Sequence, residues 1–329
     1  MRKRRSPLLP ALAGVATIGG IGTALGLTLA GLPLSRSAKT VRIEIQPGVS
    51  NSDVARQLEG AGVIRSAWWL ERLASKETLR PGVYDFSPSE SPAAILRKMA
   101  RGEFAGVKVT FPEGFTLKKM AARLVEKKVL PEETEFLRLA QAEGKTFKAS
   151  FPLPVNLEGY LFPDTYRIPL GSDARAVIQR MLANFDRKVA PKLKAAGKPV
   201  GPTIIKASLI EREAEVEEDR AKIAGVIENR LVRGMRLQID ATVQYALPAH
   251  KSRLLFADLK LKSPYNTYLN KGLPPGAICC PGLPSIQAAL SPEKSSYLFY
   301  VAGPDGKKHL FAATFEEHQK NIKSVRGAP

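Results

Sequence analysis

The first 34 residues contain a long uncharged segment that limits where the rest of the chain can lie. Leu8 to Leu34 is a run of 27 residues without a charged side chain, and four basic residues precede it between positions 2 and 5. A helix needs about 20 apolar residues to cross the hydrocarbon core of a bilayer. The run is rich in Gly and Ala, which membrane helices tolerate because the backbone satisfies its own hydrogen bonds. We therefore predict a basic cytoplasmic tail at residues 1–7 and a single transmembrane helix at residues 8–34.

A cleaved signal peptide is the alternative to a retained anchor. The apolar region of a signal peptide has only about 7–15 residues and ends at a small-residue cleavage site. Residues 33–38, with the sequence PLSRSA, match such a site poorly. Three basic residues follow the span within eight positions, against four before it, so the positive-inside rule places the N-terminus in the cytoplasm. We expect a single-pass protein of the cell inner membrane with the rest of the chain in the periplasm.

The charge balance narrows the possible partners. The 329 residues include 50 Lys and Arg against 31 Asp and Glu, a net charge of +19. Such a charge attracts anionic partners over a distance, and nucleic acid, anionic lipid and acidic cell-wall polymers all qualify. A predicted location outside the cytoplasm, and the lack of a recognisable nucleic-acid-binding motif, argue against nucleic acid as the partner.

The cysteine and histidine patterns do not indicate a metal site. The two cysteines, Cys279 and Cys280, are adjacent, and the three histidines lie in no H-E-x-x-H pattern. Structural zinc sites need spaced Cys or His pairs. We predict no metal and no other cofactor. A disulfide between neighbouring cysteines is strained, so we expect both thiols to fill apolar space.

An internal repeat organises the region after the predicted span. Residues 41–64 align without gaps on residues 107–130, and each copy has an alternating strand, a glycine turn and a helix. The glycine turns are Gly48 and Gly114, and the helix N-caps are Ser50 and Thr116. The first copy continues with a helix at 67–74, a strand at 83–86 and a helix at 91–100. This strand–helix–helix–strand order resembles a LysM-like glycan-binding module, which we assign to residues 40–105.

The remaining residues, 106–329, form the second predicted domain. Residues 131–235 are predicted to be mainly helical, with clear periodicity at 174–189 and 204–232. Pro and Gly become frequent after residue 240, which predicts long ordered loops. The alternating segments 297–301 and 309–311 predict a C-terminal β-hairpin around Asp305 and Gly306. The predicted fold class is α+β, with a mainly helical catalytic domain that carries these loops.

Glu213 is the carboxylate that the pattern favours for acid chemistry. On a helix with about 100° per residue, Glu213 lies beside an apolar stripe of Ile205, Leu209 and Val216, whereas Glu211 points nearly the opposite way. Desolvation raises the pKa of a carboxyl group, and a general acid near neutral pH requires a raised pKa. Helix geometry alone is equally compatible with Glu213 as an ordinary residue at the boundary between the apolar and polar faces of the helix. The acidic run at 215–219 is predicted to be a solvated face or the capped start of the next helix.

Four local signatures carry a resemblance to a known family. They are Ala207–Glu213; Asn229–Leu231 with Gly234–Gln238 and Asp240; Glu158–Tyr166; and Tyr265–Tyr268 with Gly272–Gly276. With the basic tail, the span and the LysM-like region, the chain resembles the YceG-like family of endolytic murein transglycosylases over nearly its whole length. The resemblance implies that Glu213 is the catalytic acid and base of a lytic transglycosylase. Such an enzyme cuts nascent glycan strands between N-acetylmuramic acid and N-acetylglucosamine and leaves 1,6-anhydromuramic acid ends.

The resemblance also implies a substrate cleft and partners. Gln238 and Asp240 are expected to orient the sugar or Glu213, and Tyr265, Asn266 and Tyr268 to stack on or hydrogen-bond the glycan. Glu158 is expected either near the substrate or in a structural turn. The implied partners are peptidoglycan strands, penicillin-binding proteins and the membrane. The enzyme is expected to terminate the elongation of glycan strands. Ala214, Ile239, Ala241 and the cysteine pair depart from the family's usual residues. A non-catalytic peptidoglycan-binding scaffold is the alternative function.

Overall fold

The structure is a computed structural model that describes residues 31–37 and 39–327. The predicted tail and most of the predicted transmembrane helix, residues 8–30, lie outside these residues. Within the described part, no helix combines the length and the apolar character that a bilayer crossing requires. The described chain divides into two compact units. The first runs to Val107 and includes Arg167–Leu170, and the second comprises Lys108–Tyr166 and the chain from Gly171 onward.

The first unit has the strand–helix–helix–strand order that the sequence predicts. Its elements are β1 (Val41–Ile45), α1 (Asn51–Gly60), α2 (Ala67–Leu73), a 3₁₀ turn (Ala74–Lys76), β2 (Gly82–Phe86) and α3 (Pro92–Arg101). The strands pair antiparallel, with Val41 opposite Phe86 and Ile45 opposite Gly82. The inward side chains of both strands are buried with those of the helices, as at Ile43, Tyr84 and Phe86. Serine hydroxyls cap all three helices, including Ser50 and Ser91 as predicted.

The second unit is mainly helical. Its elements are α4 (Leu117–Glu126), α5 (Thr134–Ala142), a 3₁₀ turn (Gly144–Thr146), α6 (Ala174–Lys188), α7 (Ala190–Ala195), α8 (Val200–Glu213), α9 (Glu217–Val232), α10 (Asp240–Ala246), a 3₁₀ turn (Asp258–Lys260) and α11 (Leu283–Leu290). Strands β3 (Gly106–Thr110) and β4 (Thr165–Pro169) pair in a two-stranded sheet.

Helix α8 is at the centre of the second unit's core. It packs most extensively on α11 and also contacts α9 and α10. Its side chains from Ala207 to Ile210 are all buried, because neighbouring helices cover more than one face. Gly159 allows a close approach to this core: a Cβ at this position would lie 2.8 Å from Ile204 and 2.6 Å from Ala277. This contact and a φ of +91° explain the glycine in the signature Glu158–Tyr166.

The predicted C-terminal hairpin is confirmed. β5 (Phe299–Ala302) and β6 (His309–Ala312) pair antiparallel, with Tyr300 opposite Phe311. Gly306 in the connecting turn has a φ of +66°, which glycine adopts without strain. A last helix, α12 (Phe315–Arg326), follows and packs on both strands. Thr314 and Glu317 form a capping box at its start.

Two local predictions need correction, the single periodic run at 204–232 and the place of Val216 in the apolar stripe. The periodic run 204–232 is two helices, because the backbone is extended at Ala214 and again at Val216. Val216 therefore lies beyond α8 and cannot belong to the apolar stripe used to orient Glu213. The region 131–235 is mainly helical, as predicted, and also contains β4, whereas the chain after residue 239 contains three helices, α10, α11 and α12, besides its loops and hairpin.

Candidate active site

Glu213 is the last residue of α8 and lines an open cavity of about 420 Å³. The cavity wall comes from the ends of α8 and α9, the start of α10 and the C-terminal hairpin. Its lining residues are Glu213, Arg230, Leu237, Gln238, Asp240, Tyr268, Phe299, Tyr300, Val301, Ala302, His309, Phe315 and His318. The structure thus brings Glu213 together with three of the six residues expected to bind substrate: Gln238, Asp240 and Tyr268.

The environment of Glu213 favours its neutral form. Burial raises the pKa of this carboxyl group above its ordinary value, and the negative charge of Asp240 raises it further. The C-terminal end of a helix carries partial negative charge, which acts in the same direction. Tyr300 donates a hydrogen bond of 2.9 Å to Glu213 Oε2, which lowers the pKa without reversing the shift. A carboxyl group whose neutral form is favoured, beside an open cavity, is suited to general acid catalysis.

Tyr300 is held by a buried polar pair. Its ring meets the His309 ring edge to face, with centroids 5.3 Å apart. The Asp219 Oδ2 atom accepts a hydrogen bond from the His309 backbone N–H at 2.7 Å and lies 3.0 Å from His309 Nδ1. Asp219 is only 3% exposed, so the solvated face predicted for the acidic run is wrong at this residue. Its position in the first turn of α9 agrees with the other predicted role, the start of the next helix.

Asp240 and Tyr268 form the opposite polar edge of the cavity. The Tyr268 hydroxyl donates to Asp240 Oδ1 at 2.5 Å. Gln238, just before this edge, has a φ of +53°, a conformation uncommon for residues other than glycine. Hydrogen bonds from the Gln238 and Ile239 backbone N–H groups to Thr267 fix this turn. The loop carrying Tyr268 and the segment carrying Asp240 are therefore locked to one another.

Arg230 joins the hairpin to the Gln238 turn. Its guanidinium donates to the carbonyl oxygens of Leu298 at 2.6 Å and Leu237 at 2.7 Å. It also lies over the Phe299 ring at 5.3 Å. Since Leu298 precedes β5 and Leu237 precedes Gln238, one side chain positions two walls of the cavity. This explains the arginine within the signature Asn229–Leu231.

Glu211 has a different role from Glu213. Its carboxylate accepts hydrogen bonds from the Gly282 backbone N–H at 3.1 Å and from the Ser285 hydroxyl at 2.7 Å, both at the start of α11. A carboxylate in this position satisfies free N–H groups and complements the helix dipole. The two glutamates of the helix signature therefore point to separate places, one to the cavity and one to a neighbouring helix.

Three of the expected substrate-binding residues lie away from this cavity. Asn266 is fully buried, and its amide donates to the carbonyl oxygens of Leu259 and Leu261, so it shapes the loop rather than facing the cavity. Tyr265 packs against the Tyr245 ring, with centroids 4.9 Å apart. Glu158 is 4% exposed and accepts hydrogen bonds from the Leu117 backbone N–H and the Tyr245 hydroxyl. Burial raises the pKa of Glu158 to about 8.

Sequence reasoning missed Tyr300, His309, Asp219 and Arg230 as parts of the site. The alternation in β5 predicts a strand without selecting one of its aromatic residues. The described residues include no group of three or more His, Cys, Asp or Glu side chains that could hold a metal ion. Cys279 and Cys280 are free, buried thiols, but they do not fill purely apolar space as expected. The Cys279 thiol lies 3.4 Å from the Ser208 carbonyl oxygen of α8, and the Cys280 thiol lies 3.9 Å from Glu158 Oε1.

The fold and the cavity together define a general-acid site in which the pKa of the Glu213 carboxyl group is raised. A helix terminus, two loops and a β-hairpin build this site. Residues 43–324 match the YceG-like family, and the chain belongs to that family. It is 34% identical to an endolytic murein transglycosylase of Bacillus subtilis over 88% of this chain and 86% of that protein. It is 31% identical to an endolytic murein transglycosylase of Streptococcus pneumoniae over 88% of this chain and 59% of that longer protein.

A solved structure agrees with this relationship. The crystal structure of a yceG-like protein from Listeria monocytogenes superposes with a TM-score of 0.59 at 35% sequence identity. The match covers 86% of this chain and 99% of the Listeria chain. The resemblance drawn from the four sequence signatures is thereby confirmed.

Proposed function

We propose that the chain is an endolytic peptidoglycan lytic transglycosylase in which Glu213 is the acid and base. The observation that carries the proposal is the position of Glu213, a carboxylic acid with a raised pKa at the edge of an open polar cavity. Membership of a family whose relatives are named endolytic murein transglycosylases supplies the substrate class.

The first step is protonation of the leaving group. Because Tyr300 donates to Glu213 Oε2, the proton of the neutral acid is left on Oε1. Glu213 gives this proton to the glycosidic oxygen between N-acetylmuramic acid and N-acetylglucosamine, and the bond to C1 breaks. Positive charge that develops at C1 and the ring oxygen is stabilised by the carboxylate of Asp240, which Tyr268 holds in place.

The second step returns a proton to the enzyme. Glu213, now a carboxylate, takes the proton of the C6 hydroxyl of the same muramic acid residue while that oxygen bonds to C1. The product is a 1,6-anhydro end, and Glu213 is neutral again. Ordinary glycosidases need a second carboxyl group for a water molecule or a covalent intermediate. Here the nucleophile belongs to the substrate and benefits from the high effective concentration of an intramolecular reaction.

The proposal also includes a membrane anchor, a glycan-binding role for the first unit and protein partners. Residues 8–34 anchor the enzyme in the inner membrane with its N-terminus in the cytoplasm, which supports action on nascent strands near the membrane. The first unit, with its LysM-like element order, binds glycan, and penicillin-binding proteins are partners in terminating strand elongation. The net charge of +19 favours the anionic surroundings of the membrane and the cell wall.

Digestion of purified peptidoglycan by the full-length protein in detergent tests the proposal. The wild-type protein is expected to release internal fragments, and Glu213→Gln is expected to lose this activity while keeping its thermal unfolding midpoint. Glu215→Gln is the matched control, because Glu215 is exposed and does not line the cavity. Binding of glycan by the wild-type protein without any released fragment would instead support the scaffold function.

A further inference from the structure

A second cavity lies beside the same two chain segments that carry Glu213 and Asp240. It encloses about 410 Å³ within the second unit. Arg212, directly before Glu213, and Ala241, directly after Asp240, line this cavity, whereas Glu213 and Asp240 themselves line the first. Consecutive Cα atoms are only about 3.8 Å apart. The two cavities therefore flank the same two short chain segments.

The wall of the second cavity is basic. Lys118, Lys119, Arg212 and His250 line it, and the only acidic side chain there is Glu158. Burial raises the pKa of Glu158 to about 8, so this group carries little negative charge at neutral pH. Among the described residues no carboxylate forms an ion pair with Lys118, Lys119 or Arg212, although nearby Arg123 and Lys127 both pair with Glu126.

The two lysines lie at the end of a helix where the helix dipole disfavours positive charge, although Lys119 Nζ also lies over the Phe115 ring at 5.9 Å. Lys118 and Lys119 follow Leu117 in the first turn of α4, which contains no acidic residue. Positive side chains are unfavourable at the positive end of a helix dipole. An anion bound in the cavity would reverse that effect, because it would attract both the side chains and the helix end. Cavity, basic wall and unfavourable lysines together indicate an anionic ligand.

We infer that the second cavity binds carboxylate groups of the peptide attached to the N-acetylmuramic acid residue on which Glu213 acts. This inference rests on the proposed function. The peptide branches from the same sugar ring whose C1 is attacked, and three extended residues span about 10 Å at most. Charge-assisted hydrogen bonds from Lys118, Lys119 and Arg212 to peptide carboxylates would fix the sugar relative to Glu213 and favour strands that carry peptides.

The experiment compares three forms of one glycan preparation with the full-length protein: strands with intact peptides, strands stripped of peptides by an amidase, and strands whose peptide carboxylates are converted to amides. The test variant combines Lys118→Gln and Lys119→Gln. A control combines Lys194→Gln and Lys198→Gln, two exposed lysines in and after α7 that remove the same charge outside the cavity.

On intact strands, kcat/KM of the test variant should fall about tenfold, because this factor corresponds to the loss of about one charge-assisted contact. It should match the wild type on stripped and amidated strands, and Lys118→Arg with Lys119→Arg should recover most of the activity. Equal losses on all three substrates, or no loss on any, would overturn the inference. Failure of the wild-type protein to cut any of the three would instead overturn the proposed function.

Discussion

The hydroxyl of Tyr300 donates a 2.9 Å hydrogen bond to the carboxylate of Glu213, across 87 positions of the chain. Burial raises the pKa of Tyr300 well above its ordinary value, and the Glu213 charge raises it further, so this phenol acts as a donor at any physiological pH. It stabilises Glu213 most when the carboxylate is charged, between proton donation and proton recovery. The contact therefore serves both halves of the proposed reaction.

Replacement of this phenol is expected to move the pH profile. In Tyr300→Phe the carboxylate loses a hydrogen bond that favours its charged form, so the pKa of Glu213 rises further. Because the acid must be protonated to act, the alkaline limb of kcat/KM moves to higher pH. We also expect kcat to fall about tenfold, less than the roughly 10²–10⁴-fold contribution of a complete general acid, because Glu213 itself is retained. Tyr297→Phe, in the same segment but without a bond to Glu213, is the control. An unchanged alkaline limb in Tyr300→Phe would remove Tyr300 from the mechanism.

Neutralising Asp240 is expected to shift the same limb in the opposite direction. The charge of Asp240 raises the pKa of Glu213. In Asp240→Asn this repulsion is gone, the pKa of Glu213 falls, and activity is lost at lower pH than in the wild type. The decrease in kcat at the wild-type optimum should exceed tenfold, because the charge facing the transition state is also lost. Parallel pH–rate profiles of the two variants give the sign of each shift directly, and shifts of equal sign would contradict the arrangement described.

Much of the secondary structure can be predicted from the sequence because its signals are local. Ser50, Ser91 and Thr116 cap the helices expected of them, and the C-terminal hairpin forms around the predicted turn. Glu213 was selected by a local signature and does line the cavity, although the stripe used to orient it included Val216, which the helix does not reach.

The contacts that complete the site depend on folding across long sequence separations. His309 and Asp219 are 90 positions apart, and Tyr300 and Glu213 are 87 apart. Periodicity within one element cannot report such pairs. Asn266 shows the converse: a polar residue in a family signature lies fully buried and holds its own loop, which only the folded chain reveals.

Glu158 is expected to make stability depend on pH. Its pKa is raised by burial to about 8 in the folded chain, against about 4.3 for an exposed glutamate. The native state therefore holds a proton that the unfolded state has released, and the contribution of this proton is complete below about pH 4.3. It decreases as pH rises and is lost by about pH 8. We predict that Glu158→Gln flattens this dependence and unfolds at higher denaturant concentration than the wild type at pH 8. Denaturant unfolding of both proteins at pH 5 and pH 8 measures this difference. The same change in unfolding free energy with pH in the wild type and in Glu158→Gln would contradict a buried neutral Glu158.

Removal of Glu211 is expected to reduce stability without changing the chemistry. Glu211→Ala leaves the Gly282 N–H and the Ser285 hydroxyl at the start of α11 without their acceptor. Loss of such a cap lowers the free energy of unfolding by about 1–2 kcal/mol. The alkaline limb of kcat/KM should stay in place, in contrast to Tyr300→Phe. A shifted limb with unchanged stability would assign Glu211 to the acid–base machinery.

The central claim is that Glu213 both donates and recovers the proton while the substrate's own C6 oxygen closes on C1. Mass spectrometry of fragments formed in ¹⁸O-labelled water tests it most directly. We expect 1,6-anhydro ends without ¹⁸O from the wild-type protein and no fragments from Glu213→Gln. Reducing ends that carry ¹⁸O, or anhydro ends formed by Glu213→Gln, would contradict it.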